Sequence, residues 1–215
     1  MLTQATAKQR LPRSDETPAR QRIVEAAFSA FMESGFAAAS TLEIATRARV
    51  SKRELYALVG SKQEMLVACI RERAKRLQMP DLPEPHDRQA LARTLETFGT
   101  QLLREVSDPT VIAVFRLAIA EAMRAPEVAR ALNSLGVETS RAALREVMTR
   151  ARSAGLVSGD PPGMAEHFAG LLCGNLKVSL LLRVTERPGP REIARRARDA
   201  TAAFLKLHAP PDNAA

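Results

Sequence analysis

His86, His167 and His208 stand far apart in the chain and share no metal-ligand spacing, and neither a glycine-rich phosphate loop nor a nucleophile motif is present. No catalytic activity, cofactor or metal is therefore expected. Cys69 and Cys173 form no short-spaced pair, so both are expected as reduced thiols. The groups that remain for chemistry are basic. Arg47, Arg49, Lys52, Arg53 and Lys62 crowd into one short stretch, and Lys8, Arg10, Arg13, Arg20 and Arg22 precede it, in a chain of net charge +8 whose remainder mixes signs more evenly. Such a distribution suits an acidic partner, although a charge run is also the ordinary dress of a solvated face.

The element that must carry those cations is announced by three Ser-x-x-Glu tetrads, Ser40 to Glu43, Ser51 to Glu54 and Ser61 to Glu64. Each can be a capping box, with the Ser hydroxyl accepting from a first-turn N–H while the Glu reaches back to the N–H of the Ser. Three helices then start in quick succession. One spans Thr41 to about Ala48 and the next Lys52 to about Leu58, leaving only Arg49 and Val50 for a turn. Two short helices on so tight a turn make a helix-turn-helix, whose second helix lies in the DNA major groove. Arg53, at the start of that helix, can donate bidentately to guanine, or can instead rest on a phosphate or in solvent. Glu54 has a sufficient role as a cap.

The composition, rich in Ala, Leu, Arg and Glu with one Tyr and no Trp, predicts an all-α chain. Residues 1–16 are polar and basic and are expected as a flexible arm, free to enter a minor groove, to follow phosphates or to have no fixed role. No apolar core follows its cations, so no secretory signal is predicted and the protein is expected in the cytoplasm. Residues 17–79 are predicted as the helix-turn-helix domain. Thr17 caps its first helix, Pro18 opens it and Gly35 ends it, and a connecting helix runs from Ser61 past Leu77 to Pro80. Residues 80–87 form a linker, 88–208 a larger helical ligand-binding and dimerisation domain, and 209–215 a disordered tail. Asp108-Pro109 starts a helix expected to bury Val111, Phe115, Ala118, Ile119, Ala122 and Met123, and Val128 to Ala154 is helical with an interruption at Gly136.

The apolar stretch Phe168 to Leu182 contains Gly170, Gly174, Asn175 and Lys177 and falls short of the roughly 18 to 20 apolar residues of a membrane span, so it is expected as a buried helix and no membrane partner is predicted. Apolar residues line both of its sides, which one chain has too few helices to cover. A homodimer is therefore expected, with Phe168, Leu171, Val178 and Leu182 meeting a partner copy together with Ala197 and Phe204 of the last helix. For a small-molecule pocket, the apolar candidates are Phe98, Leu102, Phe115, Ile119, Met123 and Cys173. Arg116, Glu121, His167 and Asn175 would supply its few polar groups. Asn175 requires a partner, which can be its symmetry mate, a backbone group or a ligand.

Arg22-Ile-Val-Glu-Ala-Ala-Phe28, Phe31, Gly35-Phe36, Ser40-Thr-Leu-Glu-Ile-Ala45, Val50-Ser51, Leu55-Tyr56 and Ser61-Lys62 together resemble the DNA-binding region of the TetR family of one-component repressors. Asp108-Pro109, Phe115-Arg116-Leu117, Glu121 and Pro126-Glu127 are similar to the AefR-like branch of its C-terminal domains. The resemblance implies a homodimer on a partly palindromic operator in double-stranded DNA, released by a small-molecule effector. Carried over by position, it makes Thr41 and Tyr56 phosphate contacts, turns Lys52 and Arg53 to base edges and sets Lys62 on the backbone; Ser51 and Arg49 flank them. Three positions depart from the pattern. Leu58 stands where the family commonly has His, which removes a phosphate contact, Val59 stands where it has Phe, and Arg49 replaces the turn Gly. A chain with these departures could also be a helical ligand-binding or interaction protein whose helix-turn-helix no longer reads an operator.

Overall fold

A computed structural model describes residues 17–76 and 84–211, and every regular element among them is helical. The arm at 1–16, the passage from Leu77 through most of the linker, and the end of the tail lie outside the described residues. The described residues fall into two compact units that meet in sequence between Cys69 and Ile70, inside a helix and ahead of the proline-rich segment.

The first unit begins with α1 (Pro18–Ala38), capped by Thr17, whose hydroxyl accepts from the Arg20 N–H at 3.3 Å. Ile23, Val24, Ala27, Ala30 and Phe31 recur at three- and four-residue spacing and are buried beneath α2 (Thr41–Ala48) and α3 (Lys52–Leu58). At Gly35, where the sequence places the stop, φ is 78° and ψ 166°, and the chain then takes one more turn to Ala38 that folds Phe36 against Phe31 at 5.3 Å. α4 (Lys62–Arg76) follows and buries Met65, Leu66, Ala68 and Cys69 in this unit.

All three serine caps form, with Ser40, Ser51 and Ser61 hydroxyls accepting from the Glu43, Glu54 and Glu64 N–H groups at 3.0, 3.1 and 3.2 Å. Among the described residues only Glu64 completes its box, accepting from the Ser61 N–H at 2.7 Å. A Cβ on Gly60 would overlap the Glu64 carboxylate, whereas Ala39 and Val50 precede the other two serines. Glu43 turns instead to Arg47, which also pairs with Glu33 of α1 at 2.7 Å. The turn between α2 and α3 is closed by Arg49 in the left-handed region (φ 55°, ψ 48°), with Val50 donating to the Ala45 carbonyl at 3.1 Å. Arg22 of α1 donates to the last α2 carbonyl, Ala48, at 3.1 Å.

In the second unit α5 (Arg88–Val106) lies along α9 (Pro161–Cys173) and α11 (Pro190–Leu207), and Leu91, Leu95, Phe98, Phe168, Leu172, Ile193 and Phe204 fill the space between them. Gly99 marks their closest approach, where an added Cβ would stand 3.0 Å from Leu172 and 3.5 Å from Ala197. α6 (Pro109–Glu121) is capped by Asp108, α7 (Pro126–Leu132) continues through a π turn (Asn133–Val137) into α8 (Glu138–Ser153), and the predicted interruption at Gly136 is that π turn. Arg88 donates to the Leu156 and Leu205 carbonyls at 2.8 and 2.7 Å and so ties the start of α5 to the ends of α8 and α11.

Two expectations are corrected. The apolar stretch is not one helix: Gly174 (φ 47°, ψ −127°), a conformation closed to side chains with a Cβ, separates α9 from α10 (Leu176–Leu181). The apolar stripe of α6 is Ile112, Val114 and Ala118, while Ile119 is 60% exposed and Met123, in the turn after the helix ends, is 95% exposed.

Two variants test this local reading. Arg49→Gly relieves the left-handed strain at the cost of glycine's greater unfolded-state entropy, and should raise stability by about 0.5–1 kcal/mol in denaturant titrations. The Ser61 N–H holds the Glu64 carboxyl below its usual value, so its stabilisation is present above that value and disappears as pH falls through the depressed one. Glu64→Ala should therefore melt below the parent protein at neutral pH, with the gap narrowing in acid.

Candidate nucleic-acid interface and ligand cavity

Thr41 opens α2 and Tyr56 lies one turn into α3, and the tight turn brings their hydroxyls to 3.3 Å. Lys52, four residues before Tyr56 on the same face, sets its ammonium 6.0 Å from the Tyr56 ring. Two hydroxyls and an ammonium thus gather on one exposed surface, Tyr56 being 43% exposed. This is a donor set that suits phosphate oxygens. Arg53 is exposed beside them and, among the described residues, has no hydrogen-bond or ion-pair partner. Arg49 is exposed at the turn with its guanidinium likewise unengaged.

Several other groups of this unit also take part in the fold. The Ser51 hydroxyl is the α3 cap. Lys62 donates to the Ala37 carbonyl at 3.1 Å and lies 4.8 Å over the Phe36 ring, closing the end of α1. Arg47 and Glu33 answer each other, so the guanidinium is held more basic and the carboxyl more acidic than usual. Of the departing residues, Leu58 ends α3 half-buried and the Val59 N–H closes the helix on the Leu55 carbonyl at 3.0 Å. The recognition helix is seated by Leu55, which is fully buried.

The second unit contains a partly open cavity of about 280 Å³. Its wall is built by Ile70, Arg73 and Ala74 of α4, Leu102, Glu105 and Val106 of α5, and Val111, Val114 and Phe115 of α6. Leu132, Gly136 and Val137 around the π turn, Ser140, Arg141 and Leu144 of α8, Ala169 and Cys173 of α9, and Lys177 of α10 complete it. Leu102, Phe115 and Cys173 are where the sequence places them. The other expected pocket residues are elsewhere. Phe98 is core, and Ile119 and Met123 are exposed. Arg116 caps α10 by donating to the Leu181 and Leu180 carbonyls at 3.0 and 2.7 Å, and Glu121 is buried outside the lining. His167 is exposed and stacks on His208 with ring nitrogens 3.1 Å apart, and Asn175 is exposed ahead of α10.

Sequence reasoning missed the polar lining: Lys177, Arg141, Glu105, Arg73 and Ser140. Lys177 had a signal, being a charge inside an apolar stretch, but its direction depends on the break at Gly174. Its ammonium sits 3.6 Å over the Phe115 ring, and burial holds its pKa below the usual lysine value. Burial pushes the neighbouring Cys173 thiol up, against the lowering effect of Lys177 and Arg196. Arg141 is matched by Glu138 at 3.0 Å. Glu105 accepts from Gln101 at 2.9 Å, and burial, with Asp108 nearby, raises its pKa.

The proposed partner-facing residues also divide. Phe168, Ala197 and Phe204 are 0, 1 and 0% exposed in a single chain, with Phe168 edge-on to Phe204 at 5.6 Å. They are core and have no surface left for a partner. Leu171, Val178 and Leu182 are 46, 58 and 68% exposed. No helix among the described residues is long and apolar enough to cross a membrane, and no group of three metal-ligating side chains occurs among them.

Comparison with known proteins agrees with both halves of this picture. Residues 23–69 match the model of bacterial regulatory proteins of the tetR family, and residues 93–210 match that of the AefR-like transcriptional repressor C-terminal domain. Similar solved structures include a TetR transcriptional regulator from Agrobacterium tumefaciens, at 26% identity over 90% of this chain and 95% of that one, with a TM-score of 0.74. A putative TetR-family regulator from Mesorhizobium loti is 26% identical over 92% and 99% of the two chains (TM-score 0.78). The flavonoid-responsive regulator FrrA is 29% identical over 90% and 98% (TM-score 0.76). No curated protein matches the sequence. With a helix-turn-helix in one unit, a cavity in the other and a C-terminal domain model covering more than half its length, the chain belongs to the TetR family of DNA-binding transcriptional regulators.

Proposed function

We propose that this regulator is a repressor that binds a partly palindromic operator as a homodimer and releases it when a small molecule enters the cavity of the second unit. The observation that carries the reading is Arg53, an unengaged guanidinium at the start of the second helix of the helix-turn-helix, beside the Thr41–Tyr56 hydroxyl pair. That arrangement separates the two tasks of an operator reader. Tyr56 and Thr41 hold the phosphate backbone, Lys52, which the resemblance turns to a base edge, stands by the Tyr56 ring and joins them, and Arg53 reads a base edge.

The AefR-like match supports repression, and the relative named for its response to flavonoids supports release by a ligand. The exposed Leu171, Val178 and Leu182 support a dimer: three large apolar side chains that a single chain leaves uncovered. Coupling would run through α4, which starts at Lys62 in the helix-turn-helix unit and contributes Ile70, Arg73 and Ala74 to the cavity wall. A ligand moves the operator equilibrium only to the extent that it binds the released conformation better than the DNA-bound one.

The direct test is binding of the purified protein to the DNA upstream of its own gene, at two salt concentrations and against unrelated competitor. A saturable footprint of two half-sites that survives competitor is expected. Weak binding erased by salt would instead favour a ligand-binding protein whose helix-turn-helix has lost its operator through the changes at Leu58 and Val59. On the footprinted site, Arg53→Ala should lose about 1–3 kcal/mol of discrimination at one base position. Tyr56→Phe should weaken all sequences alike, by about 0.5–1.5 kcal/mol. Equal behaviour of the two variants on matched and mismatched operators would contradict these roles. The double variant Val178→Asp, Leu182→Asp should sediment as a monomer and lose the two-half-site footprint; a dimer that persists would place the interface elsewhere.

A further inference from the structure

The cavity has an electrostatic imbalance. Its lining carries Arg73, Arg141 and Lys177 against one carboxylate, Glu105. Arg141 already has Glu138, and Glu105 is pushed toward its neutral form. Lys177, by contrast, has no carboxylate within ion-pair range among the described residues: its ammonium lies over the face of Phe115, near the Cys173 thiol and the like-charged Arg141. An ammonium taken from water into an apolar enclosure loses hydration that a ring face replaces only in part. The group that would replace it is an anion delivered from inside the cavity.

We propose that the effector is an aromatic or otherwise apolar molecule bearing one acidic group, whose anion pairs with Lys177 while its apolar body occupies the space between Phe115, Leu102, Val111 and Ala169. This rests on the reading of the cavity as the effector site and adds the chemical class that the site selects. The apolar wall takes the body without discrimination, and Lys177 provides the selectivity, because a neutral isostere leaves it as it was.

A matched pair of fluorescent probes tests this on the full-length protein. 1-Anilinonaphthalene-8-sulfonate carries an anion, and N-phenyl-1-naphthylamine has the same ring framework without it. Ala169→Phe fills the cavity and should abolish the saturable binding of both. Lys177→Met, with Lys177→Gln as a second neutral variant, should lower the ratio of sulfonate to neutral-probe affinity by roughly tenfold to a hundredfold, and Lys177→Arg should restore it. If Ala169→Phe abolishes both probes but the neutral variants leave that ratio unchanged, the cavity is a ligand site and the acidic class is wrong. If Ala169→Phe leaves both probes bound, the cavity is not their site and the effector reading itself falls. Tighter cavity binding of the cationic 9-aminoacridine than of the sulfonate would assign the selectivity to Glu105 and overturn the proposal.

Discussion

The described residues are cut into eleven α-helices with many ends, and each end leaves backbone donors or acceptors without an intrahelical partner. Satisfying those groups is the constraint on which the rest of this structure depends. At helix starts it is met locally by Thr17, Ser40, Ser51, Ser61, Asp87, Asp108 and Asp160, each accepting from the first turn of its own helix. At helix finishes it is met by cations from elsewhere in the same unit. Arg22 reaches the end of α2, Lys62 the end of α1, Arg88 the ends of α8 and α11, and Arg116 the end of α10. The carbonyl ends of helices carry partial negative charge, so a basic side chain serves there both as donor and as counter-charge.

That use of cations changes what the basic composition means. Part of the positive charge around the helix-turn-helix builds the unit that presents the candidate DNA surface. Arg22, Arg47 and Lys62 have defined partners in the protein. Lys52, Arg49 and Arg53 have exposed charged ends, and they flank or open the recognition helix. The turn that places them is closed by an arginine in a backbone conformation that favours glycine, so the same residue that strains the turn adds a cation to the surface.

In the second unit, the break at Gly174 separates two functions that one continuous helix would have mixed. With α9 and α10 offset, Leu172, Leu176 and Leu180 turn to the core, Cys173 and Lys177 to the cavity, and Leu171, Val178 and Leu182 to the surface. Core, cavity wall and candidate interface are therefore written into a dozen residues. The π turn at Asn133–Val137 has a comparable effect, bringing Gly136 and Val137 to the cavity wall.

What the sequence determined by itself is whatever depends on neighbours three or four residues away. The starts of α2, α3 and α4, the two-residue turn, the cap at Asp108 and the irregularity at Gly136 are of this kind, because a hydroxyl meeting the N–H three residues on, or a glycine in a helix, needs no distant partner. Whether Glu43 would complete its box was already beyond it, since Glu43 shares Arg47 with Glu33 of α1. Only the tertiary structure decided which face of each apolar helix points where. Phe168 and Leu171 are both large, apolar and one turn apart, yet the first is core and the second is surface, because the rotation of α9 is fixed by the helices packed on it, chiefly α8 and α11, and not by anything within α9. The same holds for Lys177, Phe98 and Asn175: a cavity is bounded by six or more helices meeting, and its lining is a property of that meeting.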